Sequence, residues 1–182
     1  MPNNHRNTAE YTRIFDNINK VVAALPARIA VVAVNFSKER FVKKNWVDVT
    51  SERWKASRKK KSSTLVASGR LRRSIRKVSV TPSRIIIGTD VPYARIHNEG
   101  GKISGTETVR SHTRRQHRRK GYTRKGKRVK ATTVKSYRVK SFSRKYNRKF
   151  AKRQFIGQSQ ELNRRIDRLI KSELDKAIQG LR

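Results

Sequence analysis

Any catalysis in this chain would have to come from histidine and carboxylate. It contains no cysteine, which removes both a thiolate nucleophile and a cysteine-ligated metal. The histidines are His5, His97, His112 and His117. His97 stands two residues before Glu99, but no serine on a nucleophile elbow and no Asp–His–Ser order accompanies them. His97 therefore reads as a buried or half-buried side chain that fixes a turn. His112 and His117 lie among arginines, where a metal ion would be repelled and further ligands are missing. Asp48, Glu52, Asp90, Glu99 and Glu107 are scattered, with no Asp-x-Asp or Asp-x-Glu pair to hold Mg²⁺. Glu161, Asp167, Glu173 and Asp175 fall on one predicted helix, where Glu161 suits the positive N-terminus and the others pair with Lys and Arg. Gly100-Gly101 reads as a turn, and no glycine pattern matches a dinucleotide fingerprint or a phosphate loop. The expectation is a protein with no catalytic residue, no metal and no cofactor: not an enzyme.

Positive charge is what the sequence does supply. Its 182 residues hold 48 Lys and Arg against 12 Asp and Glu, a net charge of +36. Self-repulsion on that scale opposes compaction, so the excess points to a polyanionic neighbour, nucleic acid first. Residues 102–153 contain 21 Lys and Arg and one acid, Glu107. More than half the net charge thus lies in under a third of the length. Arg110, Arg114, Arg115, Arg118, Arg119, Lys120, Arg124, Lys125, Lys127, Arg128 and Lys130 are the candidate contacts to nucleic acid or to an acidic partner. Interleaved with them are Tyr122, Tyr137, Phe142, Tyr146 and Phe150, which either stack on bases or pair across strands. For Phe150 and Phe155, beside the last helix, packing is the expectation.

The elements that position these groups follow from periodicity. Tyr11, Ile14, Phe15, Ile18, Val21, Val22 and Leu25 have amphipathic helical spacing, with Thr8 as N-cap and residues 1–7 frayed. Ile29, Val32, Ala33 and Phe36 continue the pattern beyond Pro26, predicting one long helix kinked near that proline. Residues 43–63 read as a loop in which Trp46 and Trp54 anchor packing and the run Arg58-Lys59-Lys60-Lys61 is solvated. Ser159 is the predicted N-cap of a final helix with Leu162, Ile166, Leu169, Ile170, Ala177, Ile178 and Leu181 on its apolar face. In the basic segment, residues 106–117 and 128–142 have the composition of exposed strands, with a tip near residues 121–126. A long β-hairpin or extended arm is predicted there, in competition with disorder. No uninterrupted apolar run is long enough to predict a membrane-spanning helix, and the N-terminus has no secretory apolar region. The fold class is α+β: a long N-terminal helix, a small antiparallel sheet and a C-terminal helix. The domain of residues 1–101 and 153–182 would be interrupted by the basic arm at 102–152.

Residues 65–101 carry three linked pieces. Ser68-Gly69 opens a helical turn with Leu71 and Ile75 on one face. Strands at 76–80 and 84–88 are joined across Thr81-Pro82-Ser83. Then Asp90-Val91-Pro92 leads into Tyr93-Ala94-Arg95-Ile96-His97-Asn98-Glu99-Gly100-Gly101. Trp46 precedes this block, and Arg153-Gln154-Phe155-Ile156-Gly157-Gln158-Ser159 follows it. The order resembles the phage Mu G-like virion morphogenesis (tail completion) family and the related head–tail joining proteins. Gln154 stands where the family usually has Pro, and residues between Gly101 and Arg153 do not match.

The resemblance implies a structural virion protein at the head–tail junction of a tailed bacteriophage, assembled in the host cytoplasm. It would join copies of itself in a ring of about six or twelve subunits around the DNA channel. Its other partners would be portal, adapter and tail proteins, with genomic DNA in the lumen and no membrane. The basic arms would add a positive collar. In this reading Ser68, Gly69, Leu71, Ile75, Tyr93, Ala94, His97, Gly100, Phe155 and Gly157 are structural, and Leu71, Ile75, Tyr93 and Ile96 belong to the core. The competing reading from composition is a ribosomal-type RNA-binding protein with a basic extension.

Overall fold

The computed structural model describes residues 4–57 and 64–179. The run Arg58–Lys61 and Leu181 lie outside the described residues. The chain divides into two compact units, Met1–Gly101 with Phe150–Arg182, and Lys102–Lys149.

In the first unit, helix α1 runs over Asn4–Lys43, 40 residues with Pro26 inside. It begins earlier than the polar N-terminus suggests, so Thr8 lies within the helix and is not its cap. Pro26 removes one backbone donor, yet the helix continues through it. The two halves of α1 differ. Beyond Pro26, Ala30, Ala33, Val34, Phe36 and Phe41 are buried. Before it, Tyr11, Phe15 and Val22 are 60%, 64% and 51% exposed. By length and composition alone, residues 10–43 could cross a membrane, although charged and polar residues interrupt every apolar run in them. The buried residues beyond Pro26 show what that half of the apolar composition serves here: the core.

The segment predicted as a loop contains a hairpin, β1 (Asn45–Val47) paired antiparallel with β2 (Ser51–Arg53). It forms because Lys44 takes a positive φ of 53° and its carbonyl accepts the Trp54 N–H at 2.8 Å, reversing the chain directly after α1. Trp46 and Trp54 are buried as expected. Trp46 meets Phe36 edge-on at 5.8 Å, and Trp54 meets Phe41 at 5.5 Å.

After Gly69, in the left-handed region, comes the short helix α2 (Arg70–Ser74). Strands β3 (Arg76–Val80) and β4 (Ile85–Gly88) pair antiparallel as expected and pack on α1. Helix α3 (Ala94–Glu99) follows. The core gathers Val34, Phe41, Trp54, Leu71, Ile75, Val91, Ala94 and Phe155. Leu71 and Ile75 are buried as assigned, but Ile96 is only half-buried and Tyr93 is 41% exposed. The reason is local: Tyr93 is the N-cap of α3, so it precedes the helical face that Ala94 turns inward, and Val91 takes the core position instead.

Helix α4 (Gln160–Gln179) closes the unit against α1. Ser159 caps it as predicted: its Oγ accepts the Leu162 N–H at 3.1 Å and donates to the Val47 carbonyl at 2.7 Å. Asp48 Oδ1 accepts the Gln160 N–H at 2.7 Å. The hairpin thus satisfies one orphan donor of the helix through Asp48 and holds in place the Ser159 hydroxyl that satisfies a second. Glu39 of α1 is bound by Lys43, by Arg40 at 2.9 Å and by Arg165 of α4 at 2.7 Å, while Arg28 pairs with Glu173. Burial opposes ionisation of Glu39, but hydrogen bonds from Lys43 and Arg165 outweigh it and hold its pKa at about 2. Arg40 is 1% exposed, lies over the Phe36 ring at 4.5 Å and also donates to Asn45. Ile178, assigned to the apolar face, is exposed near the end of α4.

Candidate nucleic-acid interface

The second unit is a hairpin made almost entirely of exposed residues. Strand β5 (Gly101–Val109) pairs with β12 (Phe142–Phe150) at its base. Outward from there, β6 (His112–Arg114) pairs with β11 (Tyr137–Val139), and β7 (His117–Arg119) with β10 (Thr132–Val134). At the tip β8 (Tyr122–Arg124) pairs with β9 (Lys127–Val129). The turn is Lys125-Gly126, with φ of 46° and 74°, the pair of positive values that a two-residue hairpin turn demands. The basic segment is therefore an ordered ribbon with its tip inside the predicted interval.

One register runs along the ribbon. His112 faces Val139, His117 faces Val134, and Tyr122 faces Val129. Each pair advances five residues on one strand as it retreats five on the other. Three-residue ladders alternate with two-residue breaks, and each break holds one basic residue per strand: Arg110, Arg115 and Lys120 outbound, Lys130, Lys135 and Lys140 returning. Break carbonyls that leave the ladder find local donors. His112 Nδ1 donates to the Arg110 carbonyl (3.0 Å), His117 Nδ1 to that of Arg115 (3.3 Å), and Thr132 Oγ1 to that of Lys130 (3.2 Å). The two histidines that might have suggested a metal are thus backbone donors.

The only acid of the ribbon, Glu107, accepts from Arg144 at 2.7 Å and Arg148 at 2.9 Å. Those contacts, the Arg144 hydrogen bond first, lower its pKa. The structure brings the predicted basic candidates together on the outbound strand and tip. It also places Lys135, Arg138, Lys140, Arg144, Lys145 and Arg148 on the returning strand of the same ribbon, which the sequence reading missed. The signal was present: the chain resembles itself at an offset of five residues from 107 to 146.

Back in the first unit, the motif residues form the exit and re-entry of the chain. Gly100 has φ 76°, and a Cβ there would sit 2.7 Å from the Lys152 backbone nitrogen, so only glycine lets the two passing segments lie this close. The Arg153 N–H donates to the His97 carbonyl at 2.8 Å. Asn98 Oδ1 accepts from the backbone of both Phe155 (2.9 Å) and Ile156 (3.0 Å), and Trp54 Nε1 donates to the Gln154 carbonyl at 3.0 Å. These bonds seat Phe155 in the core, 4.9 Å from Phe41. His97 lies edge-on between Tyr93 (5.9 Å) and Phe150 (5.5 Å). Its buried Nδ1 has no hydrogen-bond partner, and burial, reinforced by the Arg153 charge, lowers its pKa. No group of three or more potential ligands for a metal occurs among the described residues.

The model of one known family matches residues 44–175. The chain belongs to the phage virion morphogenesis family. That family is one of virion structure and assembly, and it places the protein with the bacteriophage particle. The match takes in the hairpin β1–β2, the motif block, the basic ribbon and most of α4, while α1 precedes it. No curated protein and no solved structure matches the chain.

Proposed function

We propose that the protein is a structural subunit of the head–tail junction, assembling with copies of itself into a closed ring around the DNA channel and bridging portal or adapter proteins to the tail. Family membership supplies the virion role, and favours it over the ribosomal-type reading that composition alone also allowed. What supports self-assembly is the first half of α1. Tyr11, Phe15 and Val22 recur four and seven residues apart, which puts them on one stripe. Ion pairs Glu39–Arg165 and Arg28–Glu173 set α1 and α4 antiparallel. By that spacing the described end of α4 is reached near Val22, and the first turns of α1 extend past it. A monomer at +36 needs apolar contact to hold copies of itself together against their repulsion.

Mass photometry of the full-length protein, alone and with its neck partners, tests this reading. A closed oligomer is expected, and Phe15→Asp should dissolve it while circular dichroism stays unchanged. Monomers under every condition would refute it.

A further inference from the structure

The ribbon is built of modules of five residues on each strand. We propose that Lys102–Lys149 is a register-locked β-ribbon that lies along double-stranded DNA and binds its phosphates, each five-residue module adding a fixed set of cationic contacts. This names the polyanion of the junction reading above, and rests on that reading only for where protein and DNA meet.

Length and charge favour DNA over a protein surface. An extended ribbon of this size is roughly 80 Å long at about 3.3 Å per residue, and its single carboxylate is consumed by Arg144 and Arg148. An acidic protein would need a matching patch along that whole length. DNA presents a phosphate charge about every 1.7 Å of its axis without interruption.

Spacing points the same way. One module spans about 17 Å, so two modules span about 34 Å, close to one turn of B-form DNA. The basic residue of each break therefore recurs in step with the half-turn of the duplex. The break nearest the tip is shaped for close strand approach: a Cβ at Gly121 would lie 3.0 Å from the Val129 carbonyl and 3.2 Å from the Ala131 nitrogen. Each break also keeps carbonyls satisfied through His112, His117 or Thr132, so it is a constructed feature and not a lapse in pairing.

The aromatic residues separate duplex from single strand. Binding of single strands uses free rings as stacking platforms. Here Arg119 covers the Tyr122 ring at 5.5 Å, Arg148 covers that of Tyr146 at 4.8 Å, and Arg114 donates to the Tyr137 hydroxyl at 3.1 Å. Arginines thus lie over two of these rings and bond the hydroxyl of the third, engaging them within the ribbon while the other lysines and arginines meet phosphates.

The test uses the full-length protein and fluorescence anisotropy with duplexes of two unrelated sequences, several helical turns long, at a series of salt concentrations. Deleting residues 112–116 together with 135–139 removes one module from each strand, keeps the register, and takes away Arg114, Arg115, Lys135 and Arg138. A second variant replaces those same four residues with Gln and keeps the ribbon at full length, so the test survives if the deletion misfolds. Both sequences should bind alike. In either variant the slope of log K against log salt should become shallower by about 3.6 if each lost cation neutralised one phosphate. An unchanged slope in the Gln variant, tighter binding to single strands than to duplex, or equal affinity for polyglutamate would overturn the proposal. Mass photometry of the same samples keeps the two readings apart. A ring that ignores DNA sinks only the ribbon proposal, and a DNA-binding monomer sinks only the ring.

Discussion

The body and the ribbon of this protein are specified by different physics. In the body, Phe41, Phe155, Ile75 and Leu71 are almost wholly removed from water, and identity at each position is enforced by close packing. In the ribbon almost every side chain is exposed, and the structure is held by cross-strand pairs, a tight turn and an unbroken register. A core tolerates little change of shape and almost any change of surface charge. A ribbon tolerates exchange of side chains but not a slip of one residue. The contrast shows how one chain can hold a stable fold and a dense positive charge: the charge is kept where no core depends on it.

The largest effect that would sharpen this contrast is Phe155→Ala. The ring is buried against Phe41, so its loss should destabilise the body by about 3–5 kcal/mol, read by chemical denaturation. Hydrogen exchange of ribbon amides should not change. If they lost protection at the same denaturant concentration as the core, the two units would be one cooperative block.

Acid provides the next test. Glu39 is ionised in the folded body with a pKa of about 2, against an ordinary value of 4.5. A depressed carboxyl stabilises the fold above its unfolded pKa, and that contribution fades as pH falls from about 4.5 towards 2, on the order of 2 kcal/mol for this partly exposed group. Glu39→Gln should flatten the acid limb of stability against pH. A limb of unchanged steepness would place the acid sensitivity elsewhere.

Removing the cap by Ser159→Ala should cost about 1 kcal/mol, seen as a lower denaturation midpoint without a change in slope. The smallest effect is expected in the ribbon. Replacing Arg114, Arg115, Arg118 and Arg119 with Gln should leave body stability within about 0.5 kcal/mol, while weakening association with polyanions. A large loss of stability would mean the ribbon is integral to the body.

Local signals carried much of this. The helical spacing from Tyr11 to Leu25, the cap at Ser159, the strand pair around Thr81-Pro82-Ser83 and the two tryptophan anchors are each specified within a few residues, and each appears in the structure. Tyr93 and Ile178 misled because an apolar residue at the right spacing is still exposed when it lies at a helix end. Arg40 gave no signal, since burial of a guanidinium depends on Glu39, Phe36 and Asn45 surrounding it. The five-residue period of the ribbon was legible but does not match the helical or strand periods, so periodicity at 3.6 or 2 passes over it.

The sequence by itself determined where charge and apolar residues lie, which stretches become the long helices and the β3–β4 pair, and the order of the motifs in residues 65–101. Those are properties of neighbours along the chain. Only the tertiary structure decided that Asn98, Trp54 and His97 bind the segment 153–156 some fifty to a hundred residues away. It alone decided that Ser159 and Asp48 share one helix end, and that cations far apart in sequence line one ribbon through a single register. These depend on chain segments meeting in space, where burial and hydrogen-bond geometry select partners that no local pattern names.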